Sequence, residues 1–364
     1  MRHFFLLVIV ILILASGYYF VRQYNNTNSL QTSETPQVQN PSTPTSIPQK
    51  NNPISTSIFV PYWNSNTDSI QIPEISNISS TSSTLIYFGI KPGSNGINRS
   101  DEGYQKISDV GSGNILTVRM LDSDQNLTIL RNKRQQQAII DDTIEIAKAN
   151  GYKGVLIDFE ITALPFQELT NQITDFIKLF SQNLKSNQLT ASMTVYGDHF
   201  YRVRPFDLQA LNPFIDNFYV MTYDLHKAGG SPGPNFPLKG QEVYGTDLQT
   251  TIEKLTAIIP PEKITTIFGM YGYDWMVDEK KRPVRDARAK SLQDIRREFL
   301  DACTWQNCVI KRDDTAAETE INYVDDNSRF HIVWFEDEES VEKKIEYLKT
   351  KGITSYSFWV WGYY

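Results

Sequence analysis

The sequence has few residues that could build a metal centre or a disulfide framework. Only two of its 364 residues are cysteines, Cys303 and Cys308, and its four histidines are scattered at positions 3, 199, 226 and 331. Two cysteines are too few ligands for a metal site, and we expect neither a metal nor a cofactor. A local disulfide between these two cysteines is the expected state if the protein is exported.

The chain also lacks any cluster of basic residues. It carries 35 Lys and Arg against 42 Asp and Glu, a formal net charge of -7 that is spread along the sequence. This distribution argues against nucleic acid as a partner and favours a neutral polymer. Aromatic residues make up 12% of the chain, and several fall at the ends of predicted strands, where they could stack on sugar rings.

The amino-terminal region contains the one long apolar run. After Arg2, residues 4–21 are uncharged and long enough to span a bilayer. We assign residues 1–22 to a signal anchor, because the apolar run continues past the small residues at 15–17; the alternative is a cleaved signal peptide ending near them. No cysteine stands directly after the run, which excludes a lipoprotein anchor.

Residues 23–56 are rich in Asn, Thr, Ser, Gln and Pro and cannot form a core. We expect a disordered linker that tethers the remaining chain, 57–364, to the membrane. The remaining chain would then lie on the extracytoplasmic side of the cell membrane, or would be secreted if the amino-terminal segment is cleaved.

The body of the chain alternates short apolar runs with helical patterns. The predicted strands cover 57–63, 84–90, 114–120, 151–160, 190–196, 217–224, 264–269 and 355–359. Helices are predicted at 136–150, from Pro165 onward, at 246–259 and at 340–351, whereas 68–83 shows little helical pattern. Eight such strands predict a single α/β domain, a closed (β/α)8 barrel of TIM type. The stretch 276–330 is too long for a simple connection and predicts a small insertion after the seventh strand.

The strand at 151–160 carries the strongest functional signal. Its sequence, GYKGVLIDFE, is apolar on both faces until two carboxylates appear at its far end. Because residues two apart share a face, Leu156, Asp158 and Glu160 project to one side. In parallel barrels the chemistry lies at the carboxyl ends of the strands. The alternative interpretation of this strand alone is a solvated end with two acids.

This stretch resembles the Asp-Gly-x-Asp-x-Asp-x-Glu motif on the fourth barrel strand of family 18 glycoside hydrolases. Gly154, Asp158 and Glu160 occupy matching positions, while Lys153 and Leu156 stand where the motif has aspartates. Three other segments are similar to the family: Met-Thr-Tyr-Asp at 221–224, Gly-Met-Tyr-Gly-Tyr at 269–273, and the tryptophan at 359. The resemblance extends from about residue 57 to 364.

The resemblance implies hydrolysis of β-1,4-linked N-acetylglucosamine-containing glycans, in which the 2-acetamido oxygen of the substrate attacks the anomeric carbon. It implies Glu160 as general acid, Asp158 as the group that holds the acetamido N–H, and Tyr223 as donor to the acetamido oxygen. The substrate-binding candidates are Trp359 as the floor under the sugar, with Asp224, Tyr271 and Tyr62 as lesser ones. Peptidoglycan, chitin and chito-oligosaccharides all carry the required group, and we expect a monomer.

Leu156 keeps a second hypothesis open. A leucine that points into the barrel removes a partner of Asp158, which we expect to be more desolvated and to depend on Glu160 and Tyr223 instead. The alternative function is therefore a glycan-binding, lectin-like protein that retains the barrel without efficient catalysis. A structural envelope protein without a sugar site is the third possibility.

Overall fold

A computed structural model describes residues 53–64, 70, 75, 82–100, 102–108 and 113–364. The predicted membrane segment 1–22 lies outside the described residues, as do most of the predicted linker 23–56 and most of the region 68–83. Among the helices of the described part of the chain, none has both the length and the apolar character needed to cross a bilayer.

Eight parallel strands form a closed barrel. The fourteen strands of the described chain are β1 (Ser55–Pro61), β2 (Ser82–Gly93), β3 (Gly96–Asn98), β4 (Ile115–Met120), β5 (Gly154–Phe159), β6 (Thr190–Tyr196), β7 (Asn217–Thr222), β8 (Ile264–Gly269), β9 (Tyr271–Val277), β10 (Arg288–Ser291), β11 (Gln306–Asp313), β12 (Glu318–Val324), β13 (Phe330–Phe335) and β14 (Ser355–Trp359). The barrel runs in the order β1, β2, β4, β5, β6, β7, β8, β14, and it closes because β14 pairs with β1. The prediction of a (β/α)8 barrel is confirmed.

The described part of the chain contains nine α-helices. They are α1 (Gly103–Ser108), α2 (Ser123–Leu130), α3 (Lys133–Ala149), α4 (Gln167–Ser186), α5 (Leu208–Leu211), α6 (Gln241–Tyr244), α7 (Leu248–Thr256), α8 (Leu292–Ile295) and α9 (Glu338–Thr350). Asn132 and Asp247 cap the first turns of α3 and α7 with their side-chain oxygens. At the other end of α3, Gly151 adopts φ +69°, a conformation that glycine reaches without a steric penalty.

Side-chain parity divides the barrel strands between two apolar layers. On β5, Val155 and Ile157 pack outward against the helices, whereas Leu156 points inward. The inner layer is completed by seven residues from other parts of the barrel: Phe59, Ile86, Phe88, Tyr219, Met221, Ile267 and Val360. The predicted direction of Leu156 is therefore correct, and the interior below the barrel mouth is filled rather than open.

A second, antiparallel sheet lies between β8 and β14 in the sequence, with strand order β10, β9, β13, β12, β11. It extends from residue 271 to 335 and so begins five residues before the predicted boundary at 276. Its first strand, β9, starts two residues after β8 ends. Cys303 and Cys308 form the expected disulfide, which joins β11 to the residues that precede it.

A buried ionic cluster joins this sheet to helix α9. Lys344 on α9 contacts Glu318 of β12 at 2.8 Å and Glu336 at 2.5 Å, and all three side chains are fully buried. Glu318 also accepts hydrogen bonds from the backbone N–H groups of Asn235 and Phe236, in the loop after β7. The cluster therefore fixes three separate segments of the chain relative to one another.

Several element boundaries differ from the sequence predictions. The first strand begins and ends two residues early, and Tyr62 lies in a 3-10 turn (Tyr62–Asn64). Helix α4 starts at Gln167 rather than at Pro165, because Phe166 keeps an extended backbone at the cap position. Helix α7 is shorter than the predicted 246–259, since Asp247 caps it at one end.

Candidate active site

A cleft of about 440 Å³ opens at the carboxyl ends of the barrel strands. Its floor is made by the last residues of β5, β6, β7 and β14 and its rim by the loops that follow. The lining residues are Phe59, Tyr62, Trp63, Phe88, Arg119, Leu121, Asp158, Glu160, Thr194, Tyr196, Gly197, Asp198, Arg202, Arg204, Met221, Tyr223, Asp224, Lys227, Tyr271 and Trp359. All seven sequence-predicted site residues therefore border a single cleft.

Glu160 follows directly after β5, and its backbone is held from two sides. Its N–H donates to the Met120 carbonyl at 2.8 Å, and its carbonyl accepts from Nδ2 of the buried Asn126 at 2.7 Å. The Tyr196 hydroxyl donates to Glu160 Oε2 at 3.2 Å. Burial raises the pKa of Glu160 above its ordinary value, against the opposing effects of Tyr196 and Arg204. A carboxyl with a raised pKa can hold a proton for transfer near neutral pH.

Asp158 lies on the same inward face of β5 and is only 3% exposed. Thr194 Oγ1 on β6 donates a hydrogen bond of 2.7 Å to Asp158 Oδ1. Burial, followed by the charge of Glu160, raises the pKa of Asp158 to about 7. The two carboxyls therefore titrate as an interacting pair.

The hydrogen bond from Thr194 changes one expectation. Among the described residues, neither Tyr223 nor Glu160 forms a hydrogen bond with Asp158, and Glu160 acts on it through its charge. Leu156, below it in the apolar layer, offers no polar contact. The side chain that donates a hydrogen bond to Asp158 is a neighbour across the β5–β6 pair.

Aromatic rings form the apolar floor of the cleft. The ring of Trp359 is half-buried and lies nearly parallel to that of Tyr223, with 6.1 Å between centroids and 19° between planes. Phe59 and Phe88 pack against Trp359 from below, at 5.3 and 4.8 Å. Tyr62 lies at the mouth and is 44% exposed. A flat apolar surface flanked by hydroxyls is suited to the face of a pyranose ring.

Asp224 is positioned by a side-chain amide. It adopts φ +59°, and its backbone N–H donates to Oδ1 of the buried Asn235 at 2.8 Å. The hydroxyls of Tyr271 and Tyr273 both donate to Asp224 Oδ1. The pKa of Tyr271 lies well above its ordinary value because of burial and the charge of Asp224. Asp224 therefore accepts hydrogen bonds from two tyrosine hydroxyls at the edge of the cleft.

Charged residues that the sequence analysis did not select complete the wall. Arg204 donates to Asp198 through Nε at 3.2 Å and through Nη2 at 2.8 and 2.9 Å, and its guanidinium stacks on the Tyr196 ring at 3.9 Å. Arg202 contacts the same carboxylate at 3.2 Å. Both arginines follow β6, and the pair with Asp198 keeps Tyr196 oriented toward Glu160. Within the described residues, no group of three or more His, Cys, Asp or Glu could hold a metal ion.

The sequence and the fold both match known glycosidases. The model of the glycosyl hydrolases family 18 matches residues 59–363. A cortical fragment-lytic enzyme of Bacillus anthracis is 26% identical, covering 76% of this chain and 64% of its own length. One of Bacillus cereus is 26% identical over 65% of this chain and 53% of its own. The chain thus spans between about half and two-thirds of these relatives.

A solved structure shares the fold. The crystal structure of the Bacillus cereus spore cortex-lytic enzyme SleL superimposes with a TM-score of 0.66 and 23% identity, covering 85% of this chain and 71% of that one. At this level of identity the likeness shows the common barrel fold.

Proposed function

Because the chain belongs to the glycosyl hydrolases of family 18, we propose that it hydrolyses β-1,4-linked N-acetylglucosamine-containing glycans by substrate-assisted retaining catalysis. The observation that carries the proposal is the pair Asp158 and Glu160, both with raised pKa, beside the aromatic floor of one cleft. Such a pair supplies an acid and a neighbouring anion in a site partly shielded from water.

Glu160 acts as the general acid. It protonates the glycosidic oxygen while the 2-acetamido oxygen of the bound sugar attacks the anomeric carbon, so that the glycosidic bond breaks and an oxazolinium intermediate forms. Glu160, now ionised, then accepts a proton from the water that opens this ring. Tyr196 stabilises the ionised state, because its hydroxyl donates to the carboxylate at 3.2 Å.

Asp158 and Tyr223 orient the acetamido group. Ionised Asp158 accepts the acetamido N–H and stabilises the positive charge of the intermediate, in a position where burial strengthens the interaction. The Tyr223 hydroxyl donates to the acetamido oxygen and holds it close to the anomeric carbon. Tyr223 has no hydrogen-bond partner among the described residues, which leaves its hydroxyl available for a ligand.

The remaining candidates bind the sugars. Trp359 contacts the apolar face of the ring that is cleaved, and the exposed ring of Tyr62 extends the surface toward the next sugar. Asp224 and Tyr271 face ring hydroxyls from the opposite wall. Tyr271, at the start of the second sheet, contributes to this wall.

Substitution of the acid tests the function. Glu160→Gln should abolish the release of reducing ends from N-acetylated oligosaccharides and from peptidoglycan glycan strands, while binding remains measurable by calorimetry. The matched control is Glu168→Gln, an exposed glutamate on helix α4, which should hydrolyse like the unchanged protein. Hydrolysis retained in Glu160→Gln would remove Glu160 from the acid role.

A glycan-binding protein without efficient catalysis is the second candidate. It is favoured by Leu156, which places a hydrocarbon side chain directly below Asp158, in the inner apolar layer. Mass analysis of products from acetylated oligosaccharides incubated with residues 53–364 distinguishes the two. Binding without product after prolonged incubation supports the lectin-like function.

We also propose that residues 1–22 anchor the protein in the cell membrane, or are cleaved as a signal peptide, and that 23–56 link them to a monomeric barrel outside the cytoplasm. The Cys303–Cys308 disulfide supports an oxidising compartment. Protease treatment of intact cells should digest a barrel exposed at the cell surface, and full protection after permeabilisation of the outer layers would contradict this topology.

A further inference from the structure

Four cationic side chains line the cleft, and they fall into two classes. Arg202 and Arg204 both form ion pairs with Asp198. Arg119 and Lys227 form no ion pair with any described residue, although both border the cleft. The protein as a whole is acidic, with a net charge of -7. Two unpaired cations beside the proposed acid pair are therefore a local exception to the charge of the chain.

Arg119 is held rigidly but incompletely bonded. It lies on β4 in register with Asp158 on β5, so both side chains point into the barrel mouth. Its Nε donates to the Gly89 carbonyl at 2.9 Å, and its guanidinium lies over the Tyr62 ring at 4.2 Å. Neither Nη group donates a hydrogen bond to a described residue. The two free Nη groups of a fixed guanidinium form a fork that matches a carboxylate.

Lys227 provides the second charge from another side. It is exposed in the loop after β7, two strands beyond β5, whereas Arg119 lies on the strand before β5. The acid pair thus has an unpaired cation on either side along the barrel rim. Both charges act on the acid pair: Arg119 opposes the rise that burial causes in the pKa of Asp158, and Lys227 opposes the corresponding rise in the pKa of Glu160.

We propose that the cleft binds an acidic N-acetylated glycan, in which a sugar adjacent to the cleaved linkage carries a carboxylate, and that Arg119 is its principal contact. The 3-O-lactyl carboxylate of a muramic acid residue has this chemistry. This inference rests on the glycosidase proposed above and selects among its substrates. A neutral chitin chain would offer the Arg119 guanidinium only hydroxyl and amide oxygens, whose hydrogen bonds are weaker than those of a carboxylate.

The test compares three versions of one glycan. These are peptide-free strands with free lactyl carboxylates, the same strands with those carboxyls reduced to alcohols, and strands that keep their peptide stems. The measured quantity is the ratio of kcat/KM between the first two. In the unchanged protein we expect the acidic strand to be preferred by about tenfold or more at low salt, with the preference declining as ionic strength rises.

The variants assign the preference to residues. Arg119→Gln should reduce the ratio to near one, Arg119→Lys should leave an intermediate value because a fork is replaced by a point charge, and Lys227→Gln should lower it less. Lys239→Gln is the control, an exposed lysine in the same loop that does not line the cleft. Using a ratio cancels any general loss of rate that follows from the influence of Arg119 on Asp158.

Binding measurements test the carboxylate site independently of the proposed glycosidase activity. Calorimetry on Glu160→Gln, with and without Arg119→Gln, measures the same preference without turnover. If the protein binds acidic strands preferentially but the unchanged protein hydrolyses none of them, the carboxylate site is supported and the proposed glycosidase function is refuted. Equal handling of acidic and reduced strands, an unchanged ratio in Arg119→Gln, or a preference only for stem-bearing strands would each overturn the proposal.

Discussion

The hydrogen bond between Thr194 and Asp158 gives the sharpest quantitative prediction. At 2.7 Å, with the acceptor 3% exposed, it stabilises the ionised carboxylate, and such charge-assisted bonds contribute about 1.5 to 3 kcal/mol. At about 1.4 kcal/mol per pKa unit, Thr194→Val should raise the pKa of Asp158 from about 7 by roughly one to two.

Because the proposed mechanism needs Asp158 ionised, the acid limb of the pH–rate profile should move upward by the same amount. We expect kcat/KM at pH 6 to fall by about 10- to 100-fold, while the loss becomes much smaller near pH 9. The assay is the initial rate of reducing-end release from an N-acetylated oligosaccharide between pH 4 and 10. The two limbs belong to the Asp158–Glu160 pair, so both should be fitted together.

Thr117→Val is the matched control. Thr117 lies on β4 in register with Leu156, is fully buried, and its hydroxyl forms no hydrogen bond among the described residues. Its replacement should leave the profile unchanged. An acid limb of Thr194→Val that superimposes on that of the unchanged protein would refute the link between this bond and the ionisation of Asp158.

Two further predictions concern stability. The pKa of Asp158 rises from 3.8 to about 7 on folding, so its contribution to the free energy of unfolding is present below pH 3.8 and is lost as pH rises through 7. At pH 8, Asp158→Asn should therefore have a free energy of unfolding up to about 4 kcal/mol larger than that of the unchanged protein, measured by urea unfolding. This difference should vanish near pH 4. Lys344→Met leaves Glu318 and Glu336 buried without a cation and should cost about 3 to 5 kcal/mol by urea unfolding, increasingly so as pH rises. Lys343→Met, at a partly exposed neighbouring position, should change the free energy of unfolding by less than about 0.5 kcal/mol. An Asp158→Asn gain independent of pH, or equal losses at 343 and 344, would contradict these expectations.

Much of the barrel could be predicted because its signals are local. The strands at 190–196, 264–269 and 355–359 match the structure residue for residue, since apolar β-branched and aromatic runs there are bounded by clear breaks. The inward direction of Leu156, Asp158 and Glu160 follows from strand parity alone. The same parity rule, applied to Thr194 and Tyr196 on the fifth barrel strand, would have identified both as partners of the acid pair.

Other parts of the site depend on contacts that no local pattern contains. Asn235 positions Asp224 through its side chain, and it is itself held by Glu318, 83 residues further along the chain. Glu318 in turn requires Lys344 from the last helix. Each residue alone reads as an ordinary surface amide or charge, so their burial becomes visible only when the second sheet and helix α9 are assembled together.

The closure of the barrel between β14 and β1 has a consequence for how activity is acquired. Ser55 and Ser355 are paired across 300 residues of intervening sequence, and Trp359 stands at the end of that final strand. Contacts so distant in sequence form slowly, because a long loop must be closed before they are gained. A folding intermediate with seven strands would hold the acid pair in place above a missing floor. Catalytic competence should therefore appear in one late step, after most of the secondary structure, and refolding followed by both circular dichroism and turnover would reveal the interval between them.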